Sequence, residues 1–359
     1  MASVSPRTPP TGLLESETVK AAGLAGAFVV QVAFGLAFTV AITHILGADR
    51  YGSLAALISA FLILSVPGLS LQVAAAREVA QGRLGGPEEL SATLAHWTHR
   101  LLFATVAAAA AAALLRHPLA SLMNVRESWA AAATVPGAVL WVLLSIQRGV
   151  LQGMRAYKPL GISIVLEALG RLVFGIALAE LGGGVTGAFL GMPLAIIAIA
   201  LALSRVLDHR MTRPSGAGRE RLRELVWGAW APVVGLTLLV VLQQIDVILV
   251  KHQIGGSRAG AYAAAGVAAK VMFWIAVGIG LYLVPEAARR ADDGRDTRPV
   301  LARALGVLAI VAVPAMLICA FAPRLVIRLA FGAQYLPAAH ILVVLGGAFT
   351  LLAAAYLAV

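Results

Sequence analysis

The short polar stretch HILGADRYG, residues 44–52, returns as HQIGGSRAG at residues 252–260. His, Gly, Arg and Gly occupy the same places in both copies, which begin at His44 and His252 and so lie 208 residues apart. This period is far longer than the roughly 20–50 residues of a solenoid repeat, and it indicates a duplicated lobe. Because each copy lies between two long apolar stretches, each lobe is predicted to open with a helical hairpin that turns at this loop.

Composition places the chain in a membrane. Of its 359 residues, 60% are hydrophobic and only 13% are charged, whereas a soluble chain of this length needs far more polar surface. The segments Ala21–Leu46, Tyr51–Ala76 and Leu181–Ser204 carry no charged residue. About 20 apolar residues span the hydrocarbon core as a helix. The predicted fold class is therefore all-α, a polytopic membrane protein.

Hydropathy predicts ten membrane segments. They lie near residues 21–46, 51–76, 97–115, 128–148, 159–181, 184–204, 225–250, 259–284, 302–322 and 337–359. The duplicated loop aligns the first two segments with the seventh and eighth. Since an even number of crossings separates the copies, the two bundles form a parallel repeat.

The predicted domains follow from this register. They are a polar tail at 1–20, a six-helix bundle at 21–204, an arginine-rich linker at 205–224 and a bundle of four helices at 225–359. Six segments precede the linker and four follow it. We therefore expect the second bundle to be incomplete, either through truncation or as a shortened gene product.

The net charge of +11 is explained by membrane topology. Nineteen of the 28 Lys and Arg residues lie on the side of the tail and the linker, and seven lie on the opposite side. Excess positive charge marks the cytoplasmic side. We therefore expect a cytoplasmic N-terminus in the cell (inner) membrane, membrane lipids as neighbours, and no nucleic-acid partner.

Ionisable residues inside the predicted spans are the candidate functional residues, because each costs about 2.5–3.5 kcal/mol at mid-depth on insertion scales. Glu167 and Arg171 are spaced i, i+4 on one helix and can pair. Asp246 lies one turn from Gln243, and Lys270 lies near the middle of the next span. These five residues are the predicted substrate or ion pathway.

Two interpretations of these charges stay open. In the functional one, Arg171 and Lys270 meet an anionic headgroup, while Asp246 and Glu167 tune their pKa values or carry coupling ions. In the structural one, Glu167 and Arg171 form a neutralised pair that fixes helix packing.

Other polar residues are weaker candidates. Gln31 and Gln72 are secondary cavity candidates, although hydrogen bonding between helices is the commoner use of such amides. Arg148 lies at a cytoplasmic helix end and is predicted to anchor that end at the interface. No metal site and no cofactor are expected.

Several segments carry a family resemblance. They are LGADRYG (46–52), AAAREVA (74–80), LQGMRAYKPL (151–160), QQIDVILVKHQIGGSRAGAYAAAG (243–266) and LVPEAA (283–288). In these segments the chain resembles polysaccharide-biosynthesis flippases of the MOP (MATE-like) superfamily. The resemblance implies two six-helix bundles around a central cavity that move lipid-linked oligosaccharide from the cytoplasmic to the outer leaflet. Glycan-assembly enzymes are possible partners. The chain departs from the family, whose members have at least twelve helices.

The residues themselves leave rival functions open. No GxxxxGK[ST] phosphate loop occurs in the chain, so we expect transport to draw on a gradient or the membrane potential, and we do not expect an enzyme. An ion-coupled drug or organic-cation antiporter of the same superfamily is the nearest alternative. A membrane remnant or assembly scaffold that does not transport is the second, and two further hydrophobic segments encoded in frame after Val359 would argue against it.

Overall fold

The computed structural model describes residues 11–84, 87–210, 230–271, 273–274, 296 and 298–358. All regular structure in these ranges is helical, which confirms the predicted all-α class. The first lobe contains α1 (Thr11–Ala80), α2 (Pro87–Leu114), α3 (Arg116–Met123), α4 (Ser128–Gly153), α5 (Tyr157–Leu178) and α6 (Gly184–Arg210). The second contains α7 (Trp230–Gln253), α8 (256–271), α9 (Arg298–Phe321), α10 (Pro323–Ala330) and α11 (Ala339–Ala358). We call these lobe 1 and lobe 2.

Within the described ranges, seven helical segments are long and apolar enough to cross a membrane. Two of them, Gly23–Ala80 and Tyr157–His209, have 58 and 53 residues, more than twice the length of one crossing. Gly47 interrupts the first with φ 73°, and Gly182 and Gly184 interrupt the second with φ 96° and 51°. Glycine adopts this left-handed conformation without a Cβ clash. Each long segment is therefore a hairpin of two crossings, and the seven segments hold nine of the ten predicted crossings.

The remaining predicted crossing, at 259–284, is helical as far as residue 271 and at 273–274. Its other residues lie outside the described ranges. Two helices extend past predicted domain boundaries, and the division into domains stays a prediction. Residues 11–20 of the predicted polar tail already belong to α1, and α6 continues through Arg210, six residues into the predicted linker.

Small residues allow the helices of lobe 1 to approach closely. A Cβ on Gly153 of α4 would come within 2.6 Å of the Ala76 carbonyl oxygen in the second half of α1. A Cβ on Gly191 of α6 would overlap the backbone of Gly175 in α5. Small residues at helix interfaces are typical of membrane bundles, where close packing replaces the hydrophobic effect as the force between helices.

The two ends of the molecule differ. One end carries the hairpin turns at Gly47 and Gly255 and the short helices α3 and α10, and we call it the turn end. The other carries the end of α1 at Ala80, the connection between α4 and α5, and the last residues of α6, and we call it the linker end. The charge asymmetry predicts that the linker end is cytoplasmic.

Candidate functional site

Lobe 1 contains a buried ion pair between α4 and α5. The Arg148 Nη2 lies 3.8 Å from Glu167 Oε2, and the two residues are 3% and 4% exposed. Arg148 also donates from Nε to the Ser163 hydroxyl oxygen at 3.1 Å and from Nη2 to the Ser163 carbonyl oxygen at 2.9 Å. This arginine is therefore neutralised and hydrogen-bonded within the lobe.

That pair corrects two predictions. One of the two open interpretations paired Glu167 with Arg171, but Glu167 faces Arg148 of the neighbouring helix. Arg148 was expected to anchor a helix end at the interface, but it is buried. An i, i+4 spacing brings two side chains to one face of a helix, yet the packing of α4 on α5 supplied a partner that the spacing could not reveal.

Arg171 has a different environment, although it lies on the same helix as Glu167. Its guanidinium carbon lies 5.6 Å from the ring centre of Phe38, and a Cβ on Gly35 would come within 2.9 Å of its Nη2. Its Nε is buried without a hydrogen-bond partner. No carboxylate among the described residues lies within 4 Å of its guanidinium nitrogens. Arg171 is therefore a half-buried cation without a matching anion in the part of the chain that the structure describes.

A second polar cluster joins the two lobes. The Lys270 ammonium of α8 donates to Gln244 Oε1 of α7 at 2.9 Å, and the Ser59 hydroxyl of α1 donates to the same oxygen at 3.2 Å. The Lys270 ammonium also lies 5.6 Å from the ring centre of Phe349. Gln244 thus links a cation of lobe 2 to a hydroxyl of lobe 1.

Asp246 lies close to this cluster without closing an ion pair. The Tyr262 hydroxyl donates to Asp246 Oδ2 at 2.8 Å, while Oδ1 is buried without a hydrogen-bond partner. Asp246 interacts electrostatically with Lys270, but the lysine makes its hydrogen bond to the neutral amide of Gln244. The sequence predicted Gln243 as the amide of this site, whereas in the structure the amide that bonds to Lys270 is that of Gln244.

The two secondary candidates lie within lobe 1. Gln72 donates from Nε2 to Gln152 Oε1 of α4 at 3.4 Å, so its amide joins two helices of that lobe. Gln31 is half-buried on the first half of α1, one turn from Ala27 and one turn from Gly35. It therefore lies on the stripe of α1 that packs against α5.

Arg171 and the Gln244–Lys270 cluster lie at similar depth. Gly35, which contacts Arg171, precedes the Gly47 turn by 12 residues, and Ser59 follows that turn by 12 residues. At about 1.5 Å per residue, both positions lie about 18 Å from the turn end, near the middle of a hydrocarbon core about 30 Å thick. No hydrogen bond or ion pair of the described residues joins the two positions.

A groove of about 630 Å³ opens between the first half of α1 and the start of α5. It is lined by Gly23, Leu24, Ala27, Val30, Tyr157, Lys158, Gly161, Ile162, Val165 and Leu166. It lies inside lobe 1 at the linker end and contains none of the predicted site residues. The predicted cavity between the lobes stays a prediction.

Sequence reasoning missed Ser59, Ser163, Gln244 and Tyr262. Serine and tyrosine in an apolar span carry no charge, so they gave no signal of a partner. Gln244 was passed over because it adjoins Gln243, and a one-residue shift turns a helical side chain by about 100°.

These observations define a class of protein: a helical, multi-pass membrane protein of two repeated lobes with polar clusters at mid-depth. The chain is similar to an inward-facing multidrug-resistance MATE transporter of the MOP superfamily, with a TM-score of 0.66 and 16% identity over 93% of this chain and 82% of that one. It is also similar to the lipid II flippase MurJ in an inward closed conformation, with a TM-score of 0.68 and 14% identity over 93% and 75%. The MATE multidrug transporter DinF-BH gives a TM-score of 0.63 and 13% identity over 95% and 80%.

The polysaccharide biosynthesis protein family matches residues 45–340, and the chain belongs to that family. None of the curated proteins matches it significantly.

Proposed function

We propose that this protein moves anionic lipid-linked saccharide precursors from the cytoplasmic to the outer leaflet of the cell membrane by alternating access, with its N-terminus in the cytoplasm. The observation that carries the proposal is the half-buried Arg171 at mid-depth, which no carboxylate of the described residues neutralises. The family match and the fold support a role in polysaccharide export. Glycan-assembly enzymes are the expected partners.

The free energy of the buried charges favours an anionic cargo. A cation at mid-depth is costly unless it has a counter-ion or meets a water-filled cavity. Arg148 has a counter-ion in Glu167 and two hydrogen bonds to Ser163, whereas Arg171 has neither among the described residues. A diphosphate or an acidic sugar would supply the missing charge, and the planar guanidinium suits the paired oxygens of a phosphate.

Lys270 supplies a second positive group at the same depth, from the other lobe. Its hydrogen bond goes to the neutral Gln244 amide, so this group makes no ion pair within 4 Å among the described residues and is available to an anion that enters between the lobes. A headgroup held by Arg171 on one side and Lys270 on the other would be released when the lobes rock apart, as parallel-repeat transporters do.

A second candidate function, ion-coupled efflux of organic cations, is favoured by one observation. Asp246 Oδ1 is buried without a hydrogen-bond partner, and a carboxylate in this state can receive a cation. The Tyr262 hydroxyl would hold the other carboxylate oxygen in place.

Deletion of the gene, followed by fractionation of lipid-linked glycans between the membrane leaflets, tests the proposal. We expect a lipid-linked saccharide to accumulate on the cytoplasmic leaflet and to leave it when the gene is restored. Unchanged glycan distribution, together with a loss of proton- or sodium-driven efflux of cationic dyes in the deletion strain, would instead support the second candidate.

A further inference from the structure

The two copies of the repeated loop contact each other at the turn end. A Cβ on Gly52 would come within 2.9 Å of the Gly260 backbone nitrogen, and a Cβ on Gly260 would overlap the carbonyl oxygen of Ala48. Gly52 and Gly260 are 208 residues apart and therefore occupy the same place in the two copies of the repeat. Contact between equivalent residues places the pseudo-twofold axis of the repeat at this glycine pair.

Hydrogen bonds cross between the lobes on both sides of that axis. From lobe 1, Asn124 Nδ2 donates to the carbonyl oxygens of Lys251 at 3.0 Å and His252 at 3.4 Å. From lobe 2, the Tyr335 hydroxyl donates to the carbonyl oxygen of Thr43 at 2.9 Å. Thr43 and Lys251 are again 208 residues apart. Each lobe therefore donates a hydrogen bond to the other lobe at an equivalent position of the repeat. That position is a carbonyl oxygen in the last turn of the other lobe's first helix.

The backbone that presents these donors is also repeated. Asn124, directly after the short helix α3, has φ 52°, and Gly332, shortly after α10, has φ 98°. These two residues are 208 positions apart as well. The repeat thus extends well beyond the opening hairpins, to the short helices and the left-handed residues that direct the chain toward the other lobe.

Further contacts join the two lobes at the turn end. The Gln334 Oε1 accepts a hydrogen bond from the Ala48 N–H at 3.3 Å, and the rings of Tyr51 and Tyr335 meet edge to face with centres 6.1 Å apart. Lys251 interacts electrostatically with Asp49 across the interface. Ser59, which donates to Gln244, follows Gly52 of this interface by seven residues along α1.

We propose that these contacts form a clasp, made of Gly52, Gly260, Asn124 and Tyr335 with the carbonyls they meet, and that separating the clasp opens the path between the lobes on the turn side. The proposal rests on alternating access in the proposed function. The new element is the identity of the residues that hold the two lobes together at the turn end. The glycine pair sets how closely the lobes meet, and the two reciprocal bonds hold them in that position.

Accessibility of a reporter thiol tests the clasp without any substrate. Ser59→Cys is placed in a Cys319→Ala background and exposed to a membrane-impermeant maleimide, in intact cells and in inverted vesicles. Ser257→Cys lies at an exposed position of the turn end. Its labelling shows in which of the two preparations the maleimide reaches the turn end, and its rate is the reference for a fully accessible thiol. With the clasp intact, we expect Ser59→Cys to label slowly from the turn side.

Gly260→Ala is the steric test, since its methyl group has no space against Ala48. Gly266→Ala in the same helix is the matched control, because a Cβ there meets nothing within 4 Å. We expect Gly260→Ala to raise labelling of Ser59→Cys from the turn side about tenfold or more, and Gly266→Ala to leave it unchanged. Equal labelling in both variants would overturn the proposal.

Tyr335→Phe and Asn124→Asp keep the clasp testable if Gly260→Ala does not assemble. Each removes a donor while keeping side-chain size, and Asp retains the tolerance of Asn for the left-handed conformation. Tyr335→Phe loses one hydrogen bond, which predicts about a two- to tenfold rise in turn-side labelling. Asn124→Asp loses two, so its rise should be at least as large, and both changes together should give a larger one. A double variant that labels at the parent rate would refute the clasp. Because no saccharide is involved, failure of the clasp is distinguishable from failure of the transport proposal.

Discussion

Arg148 and Arg171 are two arginines of one lobe, both within the apolar helices, and they illustrate opposite uses of a buried charge. Arg148 has Glu167 and Ser163 within reach and is almost completely buried. The Arg171 guanidinium lies over the ring of Phe38 and beside the backbone of Gly35. Its buried Nε has no hydrogen-bond partner among the described residues. We therefore assign the first arginine to the fold and propose that the second binds an anion from outside the protein.

The largest effect is expected for Glu167→Ala, because it leaves Arg148 buried without a counter-ion. Removing one partner of a buried ion pair costs about 3–5 kcal/mol of folding free energy. We expect the variant to accumulate poorly in the membrane and to lose its detergent-solubilised folded form at a lower temperature than the wild type.

The double variant Arg148→Met, Glu167→Leu is the control for that prediction. Replacing both charges by apolar side chains of similar size is often neutral for stability, so folded protein should return to near the wild-type amount. A Glu167→Ala protein as stable as the wild type would show that the pair does not hold α4 to α5.

Lys270→Met should affect transport rather than folding. The long apolar side chain keeps the packing against Phe349 but removes the positive charge at mid-depth. We expect export of the lipid-linked saccharide to fall about tenfold, equivalent to about 1.4 kcal/mol, with protein amounts near those of the wild type. Lys270→Arg, which keeps the charge, should retain more export. Equal export by Lys270→Met and the wild type would remove this residue from the site.

The neighbouring amides of α7 should differ in importance. Gln244 holds both Lys270 and Ser59, so Gln244→Ala should reduce export several-fold by releasing the ammonium from its position. The same change at Gln243 should have the smaller effect. The prediction is checked by comparing export rates at matched protein amounts, and it fails if Gln243→Ala proves the more damaging.

Ser163→Ala is expected to lower the folding free energy less than Glu167→Ala does. It removes the hydroxyl that accepts from Arg148 Nε but leaves the Ser163 carbonyl and Glu167 in place. Loss of one hydrogen bond to a charged group predicts a loss of about 1.5–3 kcal/mol of folding free energy, less than for Glu167→Ala. A thermal-stability series should rank wild type, Ser163→Ala and Glu167→Ala in that order, and any other order would contradict the role assigned to Ser163.

The sequence predicted the architecture well because the signals are strong and local. Long uncharged segments indicated the fold class, and the loop at His44, repeated at His252, predicted the two hairpins. The pairing of charges could not be predicted, since it depends on which helices pack together. Glu167 and Arg171 share a helix face, but the packing of α4 on α5 brought Arg148 closer.

The most direct test of the central claim compares cells that carry Arg171→Gln with cells that carry the Arg148→Met, Glu167→Leu double variant, at equal amounts of membrane protein. The measured quantity is the fraction of metabolically labelled lipid-linked saccharide that reaches the outer leaflet. The account predicts that Arg171→Gln traps most of it on the cytoplasmic leaflet, while the double variant exports it at close to the wild-type rate. Wild-type export by Arg171→Gln would contradict the account, because an unneutralised cation at mid-depth would then have no part in moving the cargo.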